Sequence, residues 1–216
     1  MADRTMVIMR GNSTADTTMY PDETGKTIAW PLGALHVKAA KDYAGILGYD
    51  ALVLDVPGQP QSQQSPQAKA AWGAFLKDQS VTAFYGFSGG GYNLKHVLDY
   101  LLAHSPEELH RIDRVVVFGA PKQPEHEYMA AKYQASLKAR YDALAKRKPD
   151  LPKWGVASWT LIYRKNPLKS ALPKDVPQDL DTHMFGPETL LREQLGEKQK
   201  PSAGLWRYRQ HKAAPS

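Results

Sequence analysis

The chain has 216 residues, with 42% hydrophobic and 23% charged residues, values typical of a globular domain that can bury its own core. It contains no cysteine, which excludes disulfides, thiolate metal sites and thiol nucleophiles, and its apolar runs fall far short of the roughly 18 residues that span a bilayer. Of the net charge of +6, residues 196–216 carry +4. We therefore expect a nearly neutral domain over 1–195 and a basic, flexible tail over 196–216.

Short β-rich runs alternate with helix-period segments along the chain. Strands are predicted at 6–9, 51–58, within 81–91 (a strand that passes into a glycine turn), 114–121 and 159–164, and helices at 33–47, 67–77, 92–104, 125–148 and 187–195. The apolar run 51–58 is typical of a strand buried on both faces. Strands joined by helix-length crossovers predict the α/β class, as a three-layer sandwich with a mostly parallel sheet of about five strands.

Two connecting segments differ from the rest in composition. Residues 59–67 are polar and of low complexity, which predicts an exposed loop. Residues 165–186 form a long, irregular segment rich in proline and aspartate after the last predicted strand. Open parallel sheets place their binding sites at the carboxyl ends of strands, so this second segment is expected to contribute to a site.

The most informative motif is G-x-S-x-G, formed by Gly86, Ser88 and Gly90 between a predicted strand and a predicted helix. A serine in this turn must adopt positive φ, and its neighbours must lack a Cβ atom to avoid a clash. The alternative is a glycine-rich turn that only packs or that binds phosphate, and phosphate binding is disfavoured because the stretch lacks the P-loop lysine and the G-x-G-x-x-G spacing. The motif therefore predicts Ser88 as a nucleophile.

A serine nucleophile needs a general base, and the chain has seven histidines. His183 follows the last predicted strand in a long loop before the last helix, the position that the order serine, acid, histidine requires. The remaining histidines are interpreted as helix residues, as residues at the wrong end of the sheet or too early in the chain, or as part of the tail: His36, His96, His104, His110, His126 and His211.

The acid that orients this histidine is expected in the same long loop. Asp175 lies eight residues before His183 and therefore has enough chain to fold back onto it. Four alternatives stay open, two in that loop and two after the preceding strand: Asp179, Asp181, Glu125 and Glu127.

A second hydrogen-bond donor to a developing oxyanion is expected in the loop after the first strand. Residues 10–14 read Arg-Gly-Asn-Ser-Thr, and the small polar side chains of Asn12 and Ser13 make either residue a candidate donor. The alternative is a tight turn with a helix N-cap.

These motifs resemble the α/β-hydrolase superfamily, in particular its small cutinase-like branch and phage-encoded esterases of the lysin B type. The similarity covers about residues 6–195 and rests on four places: the turn 10–14, the nucleophile turn 86–90, the turn 118–121 (Phe-Gly-Ala-Pro), and the series Asn166, Asp175 and His183.

The resemblance implies a serine esterase that acts through an acyl-serine, with no cofactor and no metal. Ser88, His183 and Asp175 would form the catalytic triad, and the Gly89 N–H would bind the oxyanion with Asn12 or Ser13. The expected partner is a small-molecule or lipid-like ester, with no obligate nucleic acid. The N-terminus shows no signal-peptide pattern, so a soluble cytoplasmic or phage-encoded protein is expected.

Two other classes of function stay open. One is a non-catalytic domain that keeps the hydrolase frame and binds ligands in its cleft. The other is a binder of nucleic acid or an anionic envelope that uses the basic tail, which a steep salt dependence would reveal. The sequence leaves the acyl length and the oligomeric state open.

Overall fold

The computed structural model describes residues 3–21, 27–30, 32–120, 131–154 and 158–163. Its elements, in chain order, are β1 (Thr5–Met9), β2 (Thr18–Pro21), β3 (Thr27–Trp30), α1 (Leu32–Ile46), β4 (Asp50–Leu54), α2 (Pro66–Lys77), β5 (Val81–Phe87), α3 (Gly89–His104), a 3-10 helix (Pro106–Arg111), β6 (Arg114–Ala120), α4 (Ala131–Ala145) and β7 (Ser158–Tyr163). Strands β2 and β3, which the sequence patterns did not predict, form a separate antiparallel pair.

The remaining strands form one sheet in the order β4-β1-β5-β6-β7, and every neighbouring pair in it is parallel. The predicted α/β class is therefore confirmed. From β1 the chain moves to the β4 edge and then returns past β1 to β5. Because crossovers between parallel strands are right-handed, this reversal places α1 on one face of the sheet and the later helices on the other.

Alternating side chains of the central strands build a core on each face. In β1, Met6 and Ile8 point to the α1 side, where they pack with Ala40, Tyr43 and other residues. Val7 and Met9 point to the opposite side and pack with buried side chains of α2, α3 and α4. All four of these β1 residues are buried, as expected of a central strand.

Strand β4 corrects the interpretation of the run 51–58. It ends at Leu54 and lies at the edge of the sheet, none of its five residues is buried, and Leu52 is 38% exposed. The prediction of a strand buried on both faces was wrong because an apolar run does not specify how many neighbours the strand will have. Strand β4 lies at the edge because the chain passes back over β1 to form β5 on the other side.

Helix α3 also differs from the prediction, since it begins at Gly89 and not at residue 92. Glycine has a low helix propensity, so its presence at 89–91 hid the first turn. Among the described residues, none of the helices has both the length and the apolar character needed to cross a bilayer. The predicted helix 187–195, the boundary at 195 and the basic tail lie outside the described residues.

A partly buried carboxylate joins α4 to α3. Asp99 accepts hydrogen bonds from Lys95 at 2.7 Å, from the Tyr133 hydroxyl at 3.0 Å and from Arg140 at 2.5 Å, and its side chain is 13% exposed. Burial raises the pKa of Asp99, but the hydrogen bonds and charges of Lys95 and Arg140 outweigh it and hold this pKa below its ordinary value. Asp99 therefore stabilises the α3–α4 contact as a carboxylate.

Candidate active site

The candidate site lies where the direction of the chain through the sheet reverses. Strands β1 and β5 are neighbours, but the chain from β1 continues to β4 on one side of this pair, and the chain from β5 continues to β6 on the other side. The loops after their carboxyl ends therefore separate and leave a crevice, the usual ligand position in open α/β sheets. The loop 10–14 and Ser88 both follow these carboxyl ends, so the structure brings together two predicted parts of the site.

Ser88 forms a strained turn between the end of β5 and the start of α3. Its φ of 51° and ψ of −117° make it the one non-glycine residue of the described chain with positive φ. Such a conformation costs about 1–3 kcal/mol and persists only where the surroundings impose it. The prediction of a strained serine at this turn is confirmed.

The glycines around Ser88 are required by close backbone contacts. A Cβ atom on Gly86 would lie 2.8 Å from the Gly90 carbonyl oxygen, and one on Gly90 would overlap the carbonyl oxygen of Met9 and lie 2.6 Å from that of Arg10. The start of α3 therefore rests directly on the end of β1. This packing gives a steric reason for the G-x-S-x-G spacing and fixes Ser88 against the loop after β1.

Asn12 lies against the same turn. Its Oδ1 atom occupies the space that a Cβ atom on Gly89 would need, and it accepts a hydrogen bond from Gln61 Nε2 at 3.2 Å. Gly89 is the first residue of α3, so its N–H has no partner within the helix, and the positive end of the helix dipole lies here. An amide N–H and the loop residue Asn12 thus meet beside Ser88.

Ser13 has a local role in its loop. Its Oγ atom accepts a hydrogen bond from the Ala15 N–H at 3.0 Å, which is the tight-turn alternative for this segment. Both Ser13 and Asn12 line the same cavity as Ser88.

A buried pair of amide side chains supports the site from below. Gln67 Nε2 donates to the carbonyl oxygens of Arg10 and Val56, each at 2.8 Å, and Gln67 Oε1 accepts from Asn93 Nδ2 at 3.0 Å. Asn93 Nδ2 also donates to the Gly58 carbonyl oxygen at 2.9 Å. Both side chains are fully buried, so this pair ties α2 and α3 to the loops that follow β1 and β4.

The sequence interpretation missed this pair and was wrong about part of the segment 59–67. That segment was expected to be an exposed loop, yet Gln67 and Ser65 at its end are fully buried. Ser65 is the N-cap of α2, accepting a hydrogen bond from the Ala68 N–H, and Pro66 begins the helix. The sequence Ser-Pro-Gln could have indicated this helix start, but nothing local distinguishes Gln67 from the exposed glutamines before it.

Arg10 connects the loops at the rim of the crevice. Its guanidinium forms ion pairs with Asp16 and Asp55, each at 3.3 Å, and its side chain is only 10% exposed. Since Asp16 follows β1 and Asp55 follows β4, Arg10 holds the two loops together. Because both aspartates are exposed, each ion pair stabilises the fold only modestly. The main effect of Arg10 is therefore to fix the relative position of the two loops.

A cavity of ≈ 250 Å³ opens beside Ser88, between α1 and the strands β1 and β5. His36 forms part of its wall and meets the Phe87 ring edge to face, with ring centroids 4.5 Å apart. The sequence interpretation had treated His36 as a surface or core residue of a helix. At the inner end, burial and then the neighbouring Tyr43 raise the pKa of Tyr85, which therefore stays a neutral phenol.

The other members of the predicted triad fall outside the described residues. This applies to the predicted base His183, to the predicted acid Asp175 and to its alternatives Asp179, Asp181, Glu125 and Glu127. His110 is described, and it precedes the amino end of β6, whereas Ser88 follows the carboxyl end of β5. As predicted, His110 lies at the opposite end of the parallel strands from Ser88.

Comparison with known proteins adds no relative to this description: no family model, no curated protein and no solved structure matches the chain.

Proposed function

We propose that this protein is a serine hydrolase that cleaves carboxylic esters, or thioesters, through an acyl-serine intermediate. The observation that carries the proposal is the strained Ser88, held at positive φ between β5 and α3 with a cavity beside it. Strain of this kind occurs mainly at functional sites, and the turn itself would serve no purpose that a glycine could not serve without strain. The proposed architecture is the three-layer α/β-hydrolase type.

In the proposed first step, Ser88 Oγ attacks the ester carbonyl while His183 removes the hydroxyl proton. The carbonyl oxygen becomes an oxyanion, which the Gly89 N–H stabilises together with a donor from Asn12 or Ser13. The tetrahedral intermediate then breaks its bond to the alkoxy oxygen. His183 returns the proton to the leaving alcohol, and the acyl group remains on Ser88.

In the proposed second step, His183 removes a proton from water, which attacks the acyl carbonyl. The second tetrahedral intermediate releases the carboxylic acid and returns the proton to Ser88 Oγ, so the enzyme is regenerated. Asp175 would orient His183 and stabilise its charged form, with Asp179, Asp181, Glu125 and Glu127 as the alternatives for this role.

The test measures turnover by the wild type, Ser88→Ala and His183→Ala. The substrates are the p-nitrophenyl esters of acetate, butyrate and octanoate, and the thioester is the p-nitrothiophenyl ester of butyrate. A serine nucleophile predicts a loss of about 10⁴–10⁶-fold in Ser88→Ala and a similar loss in His183→Ala. Matched controls are Ser105→Ala and His104→Ala at the far end of α3, which should keep wild-type rates.

A fluorophosphonate probe provides a second readout that needs no turnover. The probe should label Ser88 in the wild type and in both controls, as located by peptide mass spectrometry, and should not label Ser88→Ala. The proposal is refuted if the folded wild type neither hydrolyses these esters nor reacts with the probe at Ser88. A ligand-binding domain without catalysis would then be the better description.

A further inference from the structure

The cavity beside Ser88 is a space between two walls, and the residues of these walls indicate which chemical group it can bind. One wall is a single face of α1, and the other comes from β1 and β5. The α1 residues of this wall follow the helical repeat and are Gly33, His36, Val37 and Ala40. The strand residues opposite them are Ile8, Tyr85 and Phe87.

Helix α1 begins near the carboxyl ends of the parallel strands and runs towards their amino ends. At its start, the Ala34 N–H donates to the carbonyl oxygen of Asp16 in the loop after β1, at 3.1 Å. After its end, the Tyr49 hydroxyl donates to Asp113, which precedes β6, at 2.7 Å. Ala40 therefore lies deeper below the crevice than Gly33.

The depth of the cavity follows from both walls. Seven residues of helix from Gly33 to Ala40 span about 10 Å at 1.5 Å per residue. Two residues of strand from Tyr85 to Phe87 span about 7 Å at 3.3 Å per residue, and Ser88 lies just beyond the end of this strand. The two walls therefore give a cavity depth of about 7–10 Å.

The polarity of the lining changes along this depth. Arg10, Asn12, Ser13 and Ser88 all follow the carboxyl ends of β1 and β5 and form the mouth. The inner part is formed by the apolar side chains of Ile8, Val37 and Ala40 and by the uncharged phenol of Tyr85. Among the described residues, the lining contains no carboxylate and one guanidinium, that of Arg10, which is already paired with two aspartates. A polar carbonyl thus fits at the mouth and an uncharged, apolar chain fits inside.

We infer that this cavity is the acyl-binding site, and that it takes a straight, uncharged acyl group of up to about eight heavy atoms with Ala40 as its inner limit. The size follows from ≈ 250 Å³ divided by roughly 30 Å³ for a group as large as a water molecule. The carbonyl lies at Ser88, the chain points towards Ala40, and the alcohol part leaves on the solvent side. This inference rests on the proposed hydrolase function.

The experiment measures kcat/KM for p-nitrophenyl esters from acetate to laurate in the wild type, Ala40→Leu and Val37→Phe. Ala103→Leu is the matched control, because it makes the same change on the exposed surface of α3. Val37→Phe is the second variant in case Ala40→Leu does not fold, because Ala40 is buried and a larger side chain there strains the core. Val37 also lines the cavity but is only partly buried.

For the wild type, kcat/KM should rise from acetate to hexanoate or octanoate and fall at laurate. In Ala40→Leu the ratio of octanoate to acetate turnover should fall at least tenfold, since one methylene in an apolar pocket is worth about 10–200-fold. The loss should grow with acyl length, so octanoate turnover should fall more than acetate turnover, and labelling of Ser88 by a small fluorophosphonate should persist and show that the variant is folded. Ala103→Leu should keep the wild-type profile.

Failure of this inference and failure of the proposed function look different. If acetate is hydrolysed and Ser88 is labelled, but Ala40→Leu and Val37→Phe keep the wild-type chain-length profile, the acyl-site assignment is wrong and the hydrolase proposal stands. If the wild type neither turns over acetate nor reacts with the probe, the hydrolase proposal fails, and the assignment that rests on it fails as well.

Discussion

Replacing Gln67 by leucine should destabilise the protein more than any exposed glutamine replacement. Gln67 Nε2 is the donor to the Arg10 and Val56 carbonyl oxygens, and Gln67 Oε1 accepts one hydrogen bond from Asn93. Leucine cannot form hydrogen bonds with the two carbonyl oxygens or with the Asn93 amide, and the site is buried away from water. Each such loss costs about 1–3 kcal/mol, and because the groups form one network we expect a total of about 4 kcal/mol.

Urea unfolding followed by circular dichroism measures this loss directly. A decrease of about 4 kcal/mol in the free energy of unfolding corresponds to a fall in Tm of about 8–16 °C for a chain of this length. The slope of the free energy against urea should not change, because the surface exposed on unfolding stays similar. Gln63→Leu is the control, since Gln63 is exposed four residues earlier and should change stability by less than about 0.5 kcal/mol.

A second variant separates hydrogen bonding from packing. Gln67→Glu keeps the side-chain volume but offers no donor to the two carbonyl oxygens while it is ionised, so at neutral pH it should destabilise at least as strongly as leucine. The reasoning is refuted if Gln67→Leu and Gln67→Glu both unfold at the same urea concentration as Gln63→Leu.

Two further predictions concern the turn and the α3–α4 contact. Gly86→Ala should lower the free energy of unfolding by about 1–3 kcal/mol, since the new Cβ atom would lie 2.8 Å from backbone of the first turn of α3. Gly73→Ala in α2, where nothing lies within 4 Å, should instead raise it by about 0.5–1 kcal/mol, and equal effects in urea unfolding would contradict the packing argument. The lowered pKa of Asp99 means that its stabilisation is present at neutral pH and is lost as the pH falls below the ordinary value of 3.8 and through the folded-state pKa. Asp99→Asn should therefore be less stable at pH 7 and show a smaller loss of stability on acidification, and unchanged urea midpoints at both pH values would show that Asp99 has no such role.

The sequence was sufficient for the parts of the fold that depend on local patterns. Apolar runs and helical periods predicted β1, β5, β6 and β7 within a residue or two, and alternation with helices predicted the α/β class. The antiparallel pair β2–β3 was not predicted, because its short strands have no clear period. The edge position of β4 depends on chain routing, which composition does not contain.

The candidate site also contains some features that local sequence predicts and others that depend on the fold. The strained turn at Ser88 could be predicted because its glycines are close in sequence to Ser88, and the steric requirement they satisfy is local. Gln67 could not be found among the glutamines around it, since its role depends on carbonyl groups of Arg10 and Val56 that only the fold brings within reach. His36 was likewise assigned to a helix without its position in the cavity wall.

What the sequence by itself determined is the local chemistry: a serine between glycines, after a strand and before a helix, with a small polar loop after the first strand. What only the tertiary structure decided is the neighbourhood of that serine. The reversal of the chain between β1 and β5 opened a crevice, the placement of α1 on one face left a cavity, and the amide pair under the loops fixed them in place. These features join residues far apart in the chain, so they follow from packing and right-handed connections and not from any local pattern.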